Sequence, residues 1–189
     1  MIGGIVLAAG AGRRFGGPKQ LARLDGRPLI EHAIAAMTAV PAIDPVVVVL
    51  GARAERIEAE ADLFGVDVLV CPGWEEGQAA SLRMAVAALA DCDAVLVTLA
   101  DEPFVTPQVI AGVLDRADGR APAVRATYAG RPGHPVLLKR SLYPRLATLQ
   151  GDVGARAVLA SVRVQEWECG HLCRGDDIDT PEELERIRA

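Results

Sequence analysis

Aromatic side chains are scarce: the 189 residues include two Trp, two Tyr and three Phe, or 4%. A surface for single-stranded nucleic acid needs stacking platforms, and this composition does not supply them. Positive charge is also in deficit, because 25 acidic against 20 basic residues leave a formal net charge of -5. That excludes a broad basic face for DNA, while a local basic cluster can still hold a small anion. Cysteines number four, Cys71, Cys92, Cys169 and Cys173. Their spacing gives no disulfide framework, and a chain of this length needs none. Cys169-Gly-His-Leu-Cys173 contains three metal-ligand types, but a structural zinc site ordinarily has a second pair. The plainer reading is two thiols and His171 near the end of a strand. Long apolar runs are missing too. Ile2 to Ala11 is too short to cross a bilayer and lacks the charged start of a signal peptide. The chain reads as cytoplasmic, with neither membrane nor nucleic acid as a partner.

What is abundant is aliphatic core material, with hydrophobic residues at 51%. Short apolar runs alternate with helix-like stretches. Gly4 to Ala8, Pro45 to Leu50, Val66 to Val70 and Asp93 to Thr98 read as buried strands. Pro28 to Ala39, Ala52 to Phe64 and Ala79 to Ala90 read as helices between them. Thr106-Pro107 opens another helix, with Thr at the cap and Pro where no N–H is needed. Ala123 to Tyr128 and Pro135 to Leu138 are further strands, and Ser141 to Leu149 and Val153 to Ala160 are short helices. Thr180-Pro-Glu-Glu183 is a capping box that starts a C-terminal helix. This alternation predicts an α/β fold, a Rossmann-like three-layer sandwich with a mainly parallel sheet and helices on both faces. No repeat, linker or low-complexity tract divides residues 1–189, so one domain is expected. Ligands of such sheets bind at the carboxyl ends of the strands.

The segment after the first strand, Leu7-Ala-Ala-Gly-Ala-Gly-Arg-Arg-Phe-Gly-Gly-Pro-Lys-Gln20, holds four glycines, two arginines, one lysine and no acid. Glycines let backbone N–H groups approach an anion, and Arg and Lys add charge-assisted hydrogen bonds. The stretch is either a tight connection or a polyphosphate cradle, and its concentrated positive charge favours the cradle. It matches neither common phosphate motif. Gly12 and Gly17 have P-loop spacing, but Pro18 displaces Lys19 and Gln20 stands where a hydroxyl belongs. Gly10-Ala-Gly12 begins a dinucleotide fingerprint whose third glycine comes one residue late, at Gly16.

Two aspartates stand at positions suited to a metal. Asp101 follows a buried strand, and Asp179 precedes the capped helix. Each also has an ordinary explanation, Asp101 as a turn residue and Asp179 as a carboxylate near a helix N-terminus, and Asp177 competes with Asp179. Gly77 and Ser81 begin a helix whose N-terminus can offer donors to phosphate or ribose. His134 lies in a turn between Gly133 and Pro135, either stabilising it or binding a ligand.

The glycine-rich stretch closely resembles the signature of the MobA-like nucleotidyltransferases, L-A-x-G-x-x-x-R-x-G-x-P-K. Its Leu-Ala-Ala-Gly and Pro-Lys-Gln forms are most similar to the molybdenum cofactor cytidylyltransferase (MocA-like) branch. Gly73-Trp-Glu-Glu-Gly77 with Ser81-Leu82, Leu99-Ala-Asp-Glu-Pro103, Gly133-His-Pro135, Gly151-Asp-Val-Gly154 and Asp177-Ile-Asp-Thr-Pro181 follow in the family's order. Glu102 stands where the family often has Gln. The resemblance implies that Leu7, Ala8, Ala9, Gly10, Gly12, Arg13, Lys19, Gly77, Ser81 and Asp101 bind the nucleotide. It makes Lys19, Arg13 and Asp101 catalytic, Asp101 and Asp179 ligands of Mg2+, and His134, Gly151 and Asp152 the acceptor pocket. The implied reaction moves CMP from CTP to a molybdopterin-type cofactor and releases pyrophosphate, with a molybdenum hydroxylase as client. GTP-using relatives tend to have Gly at the position of Ala9, which favours CTP. GTP as donor, a sugar or alcohol phosphate as acceptor, and a non-enzymatic cofactor-delivery role are the alternatives. The failed glycine spacing counts against a dinucleotide-dependent dehydrogenase.

Overall fold

The computed structural model describes residues 1–117 and 119–188. In chain order the elements are β1 (Ile2–Ala8), a hairpin of β2 (Arg23–Leu24) and β3 (Arg27–Pro28), α1 (Leu29–Thr38), β4 (Ile43–Leu50), α2 (Ala54–Glu60) and β5 (Asp67–Val70). Then come α3 (Gln78–Ala88), β6 (Ala94–Leu99), α4 (Pro107–Leu114), β7 (Ala123–Tyr128), β8 (Arg131–Lys139), α5 (Tyr143–Leu146), α6 (Arg156–Leu159), β9 (Val164–Glu168) and α7 (Pro181–Arg188). Seven strands form one sheet in the order β5-β4-β1-β6-β8-β7-β9. β8 runs antiparallel to both neighbours, and the other pairings are parallel.

The alternation of side chains along the strands explains the two cores. β1 sends Val6 and Ala8 to one face, where α1, α2 and α4 cover them with residues such as Ile34, Ile57 and Ile110. Ile5 and Leu7 point to the other face, under Leu82 of α3, Leu146 of α5 and Leu159 of α6. The expected three-layer sandwich is therefore present. Among the described residues, no helix is long and apolar enough to cross a membrane.

Several boundaries differ from the sequence reading. α2 begins only at Ala54, because Arg53 is left-handed with φ 64° and cannot be helical. The helices expected over 141–149 and 153–160 contract to α5 and α6. β9 was not among the expected strands. It is a partly exposed edge strand, and its sequence Val-Gln-Glu-Trp-Glu carries a weak apolar signal. Both caps form as expected. Thr106 accepts a hydrogen bond from the Val109 amide, and Thr180 accepts one from the Glu183 amide at 3.2 Å. The Glu183 carboxylate returns bonds from the amides of Thr180 (3.0 Å) and Asp179 (2.8 Å), which anchors the backbone at Asp179.

Glu168 closes β9 onto the β7–β8 turn. Its carboxylate accepts from the amides of Ala129 (2.9 Å), Gly130 (3.0 Å) and Gly170 (3.0 Å) and from the Thr127 hydroxyl (3.0 Å). The Gly130, Ala129 and Gly170 amides hold this carboxyl well down, at about 2. A folded-state value below the unfolded one stabilises the fold above the ordinary carboxylate range and loses that contribution as pH falls toward 2. Glu168→Gln should therefore melt at a lower temperature than the parent at pH 7, with the gap narrowing steadily below about pH 4. Thermal unfolding of both proteins across that range checks this.

Candidate active site

The carboxyl ends of β1 and β6 open into a cleft of about 960 Å³. Of the residues expected at the site, all but Gly151 line it. The glycine-rich loop forms one end. Gln20 is buried, and its amide nitrogen donates to the carbonyls of Ala8 (2.6 Å) and Gly10 (2.8 Å). The residue that spoiled the P-loop match thus clamps the loop to the end of β1. Gly12 turns the chain with φ 62°, and its carbonyl accepts from the Phe15 amide at 3.0 Å. A Cβ at Gly12 would lie 2.0 Å from the Gly17 carbonyl oxygen, so only glycine fits this conformation without distortion. Among the described residues, the amides of Gly10, Ala11 and Gly12 have no hydrogen-bond partner. These are the donors an anion would meet.

The two aspartates converge on the same end. Asp101 follows β6, and its carbonyl accepts from the Ile178 amide at 2.9 Å, which ties the segment before α7 to the sheet. The Lys19 ammonium is hydrogen-bonded to Asp101 and, at 2.8 Å, to Asp179. All three side chains are between 16 and 17% exposed. Burial opposes the charge on Lys19, but Asp101 and then Asp179 outweigh it and hold its proton more tightly than usual. Burial likewise raises Asp179, and Lys19 with Arg14 reverses the sign to a net lowering. Burial and the nearby Asp179 and Asp101 push Asp177 up, so Asp177 takes a proton more readily than an ordinary aspartate. The arginine that reaches Asp179, at 2.6 Å, is Arg14. Arg13 lines the cleft without an ion-pair partner among the described residues.

Another wall of the cleft, next to the Asp101–Glu102 segment, is built on β7 and β8. Arg125 pairs with Val136 and Thr127 with Pro132, so one residue of β7 faces three of β8. The resulting bulge turns His134 toward the cleft. Tyr128 packs on Gly133, where a Cβ would come within 2.7 Å of its ring, and donates its hydroxyl to the His134 carbonyl at 2.6 Å. The imidazole Nδ1 bonds a Glu102 oxygen at 2.8 Å. Burial opposes a charge on His134, yet Glu102 outweighs it and keeps the ring protonated to higher pH than a free imidazole. The second Glu102 oxygen is buried without a partner among the described residues.

Along the side of the cleft, Ser81 is buried on α3. The N-terminus of that helix is already partly satisfied. Asp152 accepts from the Gln78 amide at 3.2 Å, and the Gly151 carbonyl accepts from the Ala79 amide at 3.1 Å. Gly77 is the close-approach point, since a Cβ there would lie 2.6 Å from the Gly151 carbonyl carbon. Gly151 thus acts through its backbone behind the cleft wall, and fewer α3 amides are left for a ligand than the sequence suggests.

Residues 4–167 match the model of the MobA-like NTP transferase domain. The chain belongs to this family. It is a nucleotidyltransferase, in keeping with relatives such as the 2-C-methyl-D-erythritol 4-phosphate cytidylyltransferase of Chromobacterium violaceum, 41% identical over 49% of this chain and 43% of that protein. The nicotine blue oxidoreductase of Paenarthrobacter nicotinovorans is 34% identical over 97% of this chain and 95% of its own. Rv0371c from Mycobacterium tuberculosis H37Rv superposes with a TM-score of 0.88 at 30% identity, covering 98% of this chain and 96% of that one. A complex of Rv0371c with manganese superposes with a TM-score of 0.82 at 28% identity, covering 98% and 97%.

Several polar cleft residues were given no role by the sequence reading, Gln20, Arg125 and Arg156 among them. Gln20 was visible as a P-loop mismatch and as part of the Pro-Lys-Gln match, with no role attached. Arg125 sits inside an ordinary strand pattern, and Arg156 in an ordinary helix. Outside the cleft, the Cys169 thiol donates to the Trp167 carbonyl at 3.2 Å and Cys173 faces the Tyr128 hydroxyl at 3.9 Å. Among the described residues, no three His, Cys, Asp or Glu side chains group as a metal site. A cation here would depend on two aspartates and on substrate oxygens.

Proposed function

We propose that this domain, residues 1–189, transfers CMP from CTP to the phosphate of a molybdopterin-type cofactor and releases pyrophosphate. One observation carries the reading: the unpaired amides of the glycine-rich loop and the carboxylates of Asp101 and Asp179 meet at one end of a single cleft. The donor set fits Mg2+. Two carboxylates already converge on one cationic group, the Lys19 ammonium, and magnesium is ordinarily held by one or two carboxylates plus substrate phosphates. When bound, the metal neutralises charge on the triphosphate. The manganese complex of Rv0371c is in keeping with dependence on a divalent cation.

In this reading the loop amides and Arg13 cradle the triphosphate, and Lys19 exchanges its carboxylate partners for phosphate oxygens. Asp101 and Asp179 would hold the cation, which would offset the charge of the phosphates. The acceptor phosphate, already ionised at neutral pH, needs no base, so His134 binds rather than abstracts a proton. Ser81 and Gly77 border the nucleotide, and Asp152 holds the wall of the acceptor pocket. The cytidylyltransferase relatives and Ala9 favour CTP. The site of action is the cytoplasm, and the client is a molybdenum hydroxylase. Calorimetric affinity for CTP, GTP, ATP and UTP with magnesium tests the donor assignment. CTP should bind most tightly, and a preference for GTP would overturn it.

The name of the Paenarthrobacter relative favours a second reading, in which the cleft holds a nicotinamide dinucleotide for a redox reaction. Binding of NADH or NADPH tighter than CTP in the same calorimeter would support it.

A further inference from the structure

A second cavity, of about 620 Å³, adjoins the cleft and shares Ala11, Gly12, Arg13 and Trp74 with it. The sheet order sets its place. β1 lies between β4 and β6, so the glycine-rich loop has Asp101 on its β6 flank and the turn Gly51-Ala52-Arg53 on its β4 flank. That turn is tied to the loop, because the Ala52 amide donates to the Ala9 carbonyl at 3.2 Å. Gly51 leaves no slack: a Cβ there would lie 2.6 Å from the Trp74 Cβ and 2.7 Å from the Ala9 oxygen. Arg53 follows in the left-handed region, at φ 64°, which an arginine rarely adopts. The Ala54 amide on the Gly51 carbonyl (3.2 Å) and the Ile57 amide on the Arg53 carbonyl (3.0 Å) hold it there. Backbone strain fixed in this way gathers at ligand sites.

Arg13 and Arg53 both line this cavity, and neither guanidinium has a hydrogen-bond or ion-pair partner among the described residues. No carboxylate is among the lining residues, although the chain as a whole carries a net charge of -5. A triphosphate laid along the unpaired loop amides thus has two carboxylates on one flank and unspent guanidinium donors on the other. The carboxylates meet phosphate only through a cation, whereas a guanidinium takes phosphate oxygens directly. The terminal phosphates, which carry the most charge, suit the guanidinium flank.

We propose that Arg53 acts with Arg13 to bind the β- and γ-phosphates of the donor, the group that departs as pyrophosphate. The proposal rests on the nucleotidyl-transfer reading and adds to it a residue from outside the glycine-rich loop. In the transfer, an acceptor phosphate oxygen bonds to the α-phosphorus. The bond from that phosphorus to the oxygen bridging it to the β-phosphorus breaks, and that oxygen leaves with the electron pair. The added negative charge falls on the departing pyrophosphate, which the two guanidiniums meet without rearrangement. Arg53 then favours triphosphates over nucleotides that lack the terminal groups.

Calorimetry of the full chain with inorganic pyrophosphate, CTP and CMP tests this. A chelator in the buffer removes cation bridges to the aspartates. Arg53→Asn is the first variant, because Asn tolerates the left-handed backbone and carries no charge. Arg53→Gly is the second, since glycine takes that conformation freely, and melting temperatures verify that both are folded. Affinity for pyrophosphate and for CTP should fall by about 10-fold or more in both, the loss of one charge-assisted contact, with Arg53→Lys in between. Affinity for CMP should stay at the parent's value. No pyrophosphate binding by the parent, or equal pyrophosphate affinity in the folded variants, overturns the proposal. An equal loss for CMP also overturns it, by placing Arg53 on the nucleoside. A loss for pyrophosphate with none for CTP assigns the cavity to a free polyphosphate and overturns its part in donor binding. Failure of the parent to bind CTP while it binds pyrophosphate through Arg53 counts against the transferase reading instead, so the two failures are distinguishable.

Discussion

If Asp101 holds the metal as proposed, Asp101→Asn is expected to lower turnover by about 1000-fold or more, because a metal ligand contributes several kcal/mol of transition-state stabilisation. The same substitution has a second consequence that separates a metal ligand from a mere fold residue. Asp101 and Asp179 together hold the Lys19 ammonium away from any phosphate. Neutralising Asp101 weakens that hold. CTP affinity measured without metal should therefore stay level or rise while turnover collapses. Steady-state kinetics with magnesium, paired with calorimetry in a chelator, gives both numbers. A parallel fall in metal-free affinity and turnover, with a lowered melting temperature, would mean that Asp101 serves the fold.

Gly12→Ala should abolish tight nucleotide binding while leaving the sheet folded. The left-handed φ of 62° disfavours any L side chain, by about 1–2 kcal/mol. The clash is the larger problem, since the new Cβ would stand 2.0 Å from the Gly17 oxygen and force the loop open. The amides of Gly10, Ala11 and Gly12 then lose their common aim. An affinity loss of about 100-fold for CTP corresponds to two or so charge-assisted contacts. Gly17→Ala is the comparison, because a Cβ there meets nothing within 4 Å and its φ is not positive. Calorimetry on both variants should show a large loss in the first and a small one in the second.

The fold was legible because its parallel strands are buried on both faces and so appear as unbroken apolar runs. Ile5, Val6 and Leu7 feed two different cores from three consecutive positions. β9 was illegible for the opposite reason: as an edge strand it needs few apolar residues, and Gln165, Glu166 and Glu168 mask it. At the site, the loop and the two aspartates could be found by composition and position. Their joint use of Lys19 could not, since Lys19 and Asp179 lie 160 residues apart in sequence. The choice between Arg13 and Arg14 as the partner of Asp179 also depends on the turn at Gly12, which no spacing rule encodes. The same holds for His134, whose direction follows from a bulge in β8 and not from its neighbours in the chain.

In the proposed reaction one cleft brings a nucleoside triphosphate and an acceptor phosphate together. Pyrophosphate release by the purified chain, with CTP, magnesium and molybdopterin, tests it most directly. Release should require all three components, stop when the metal is chelated, and yield the cytosine dinucleotide form of the cofactor in equal amount. No release with molybdopterin or with any member of a panel of sugar and alcohol phosphates would contradict it.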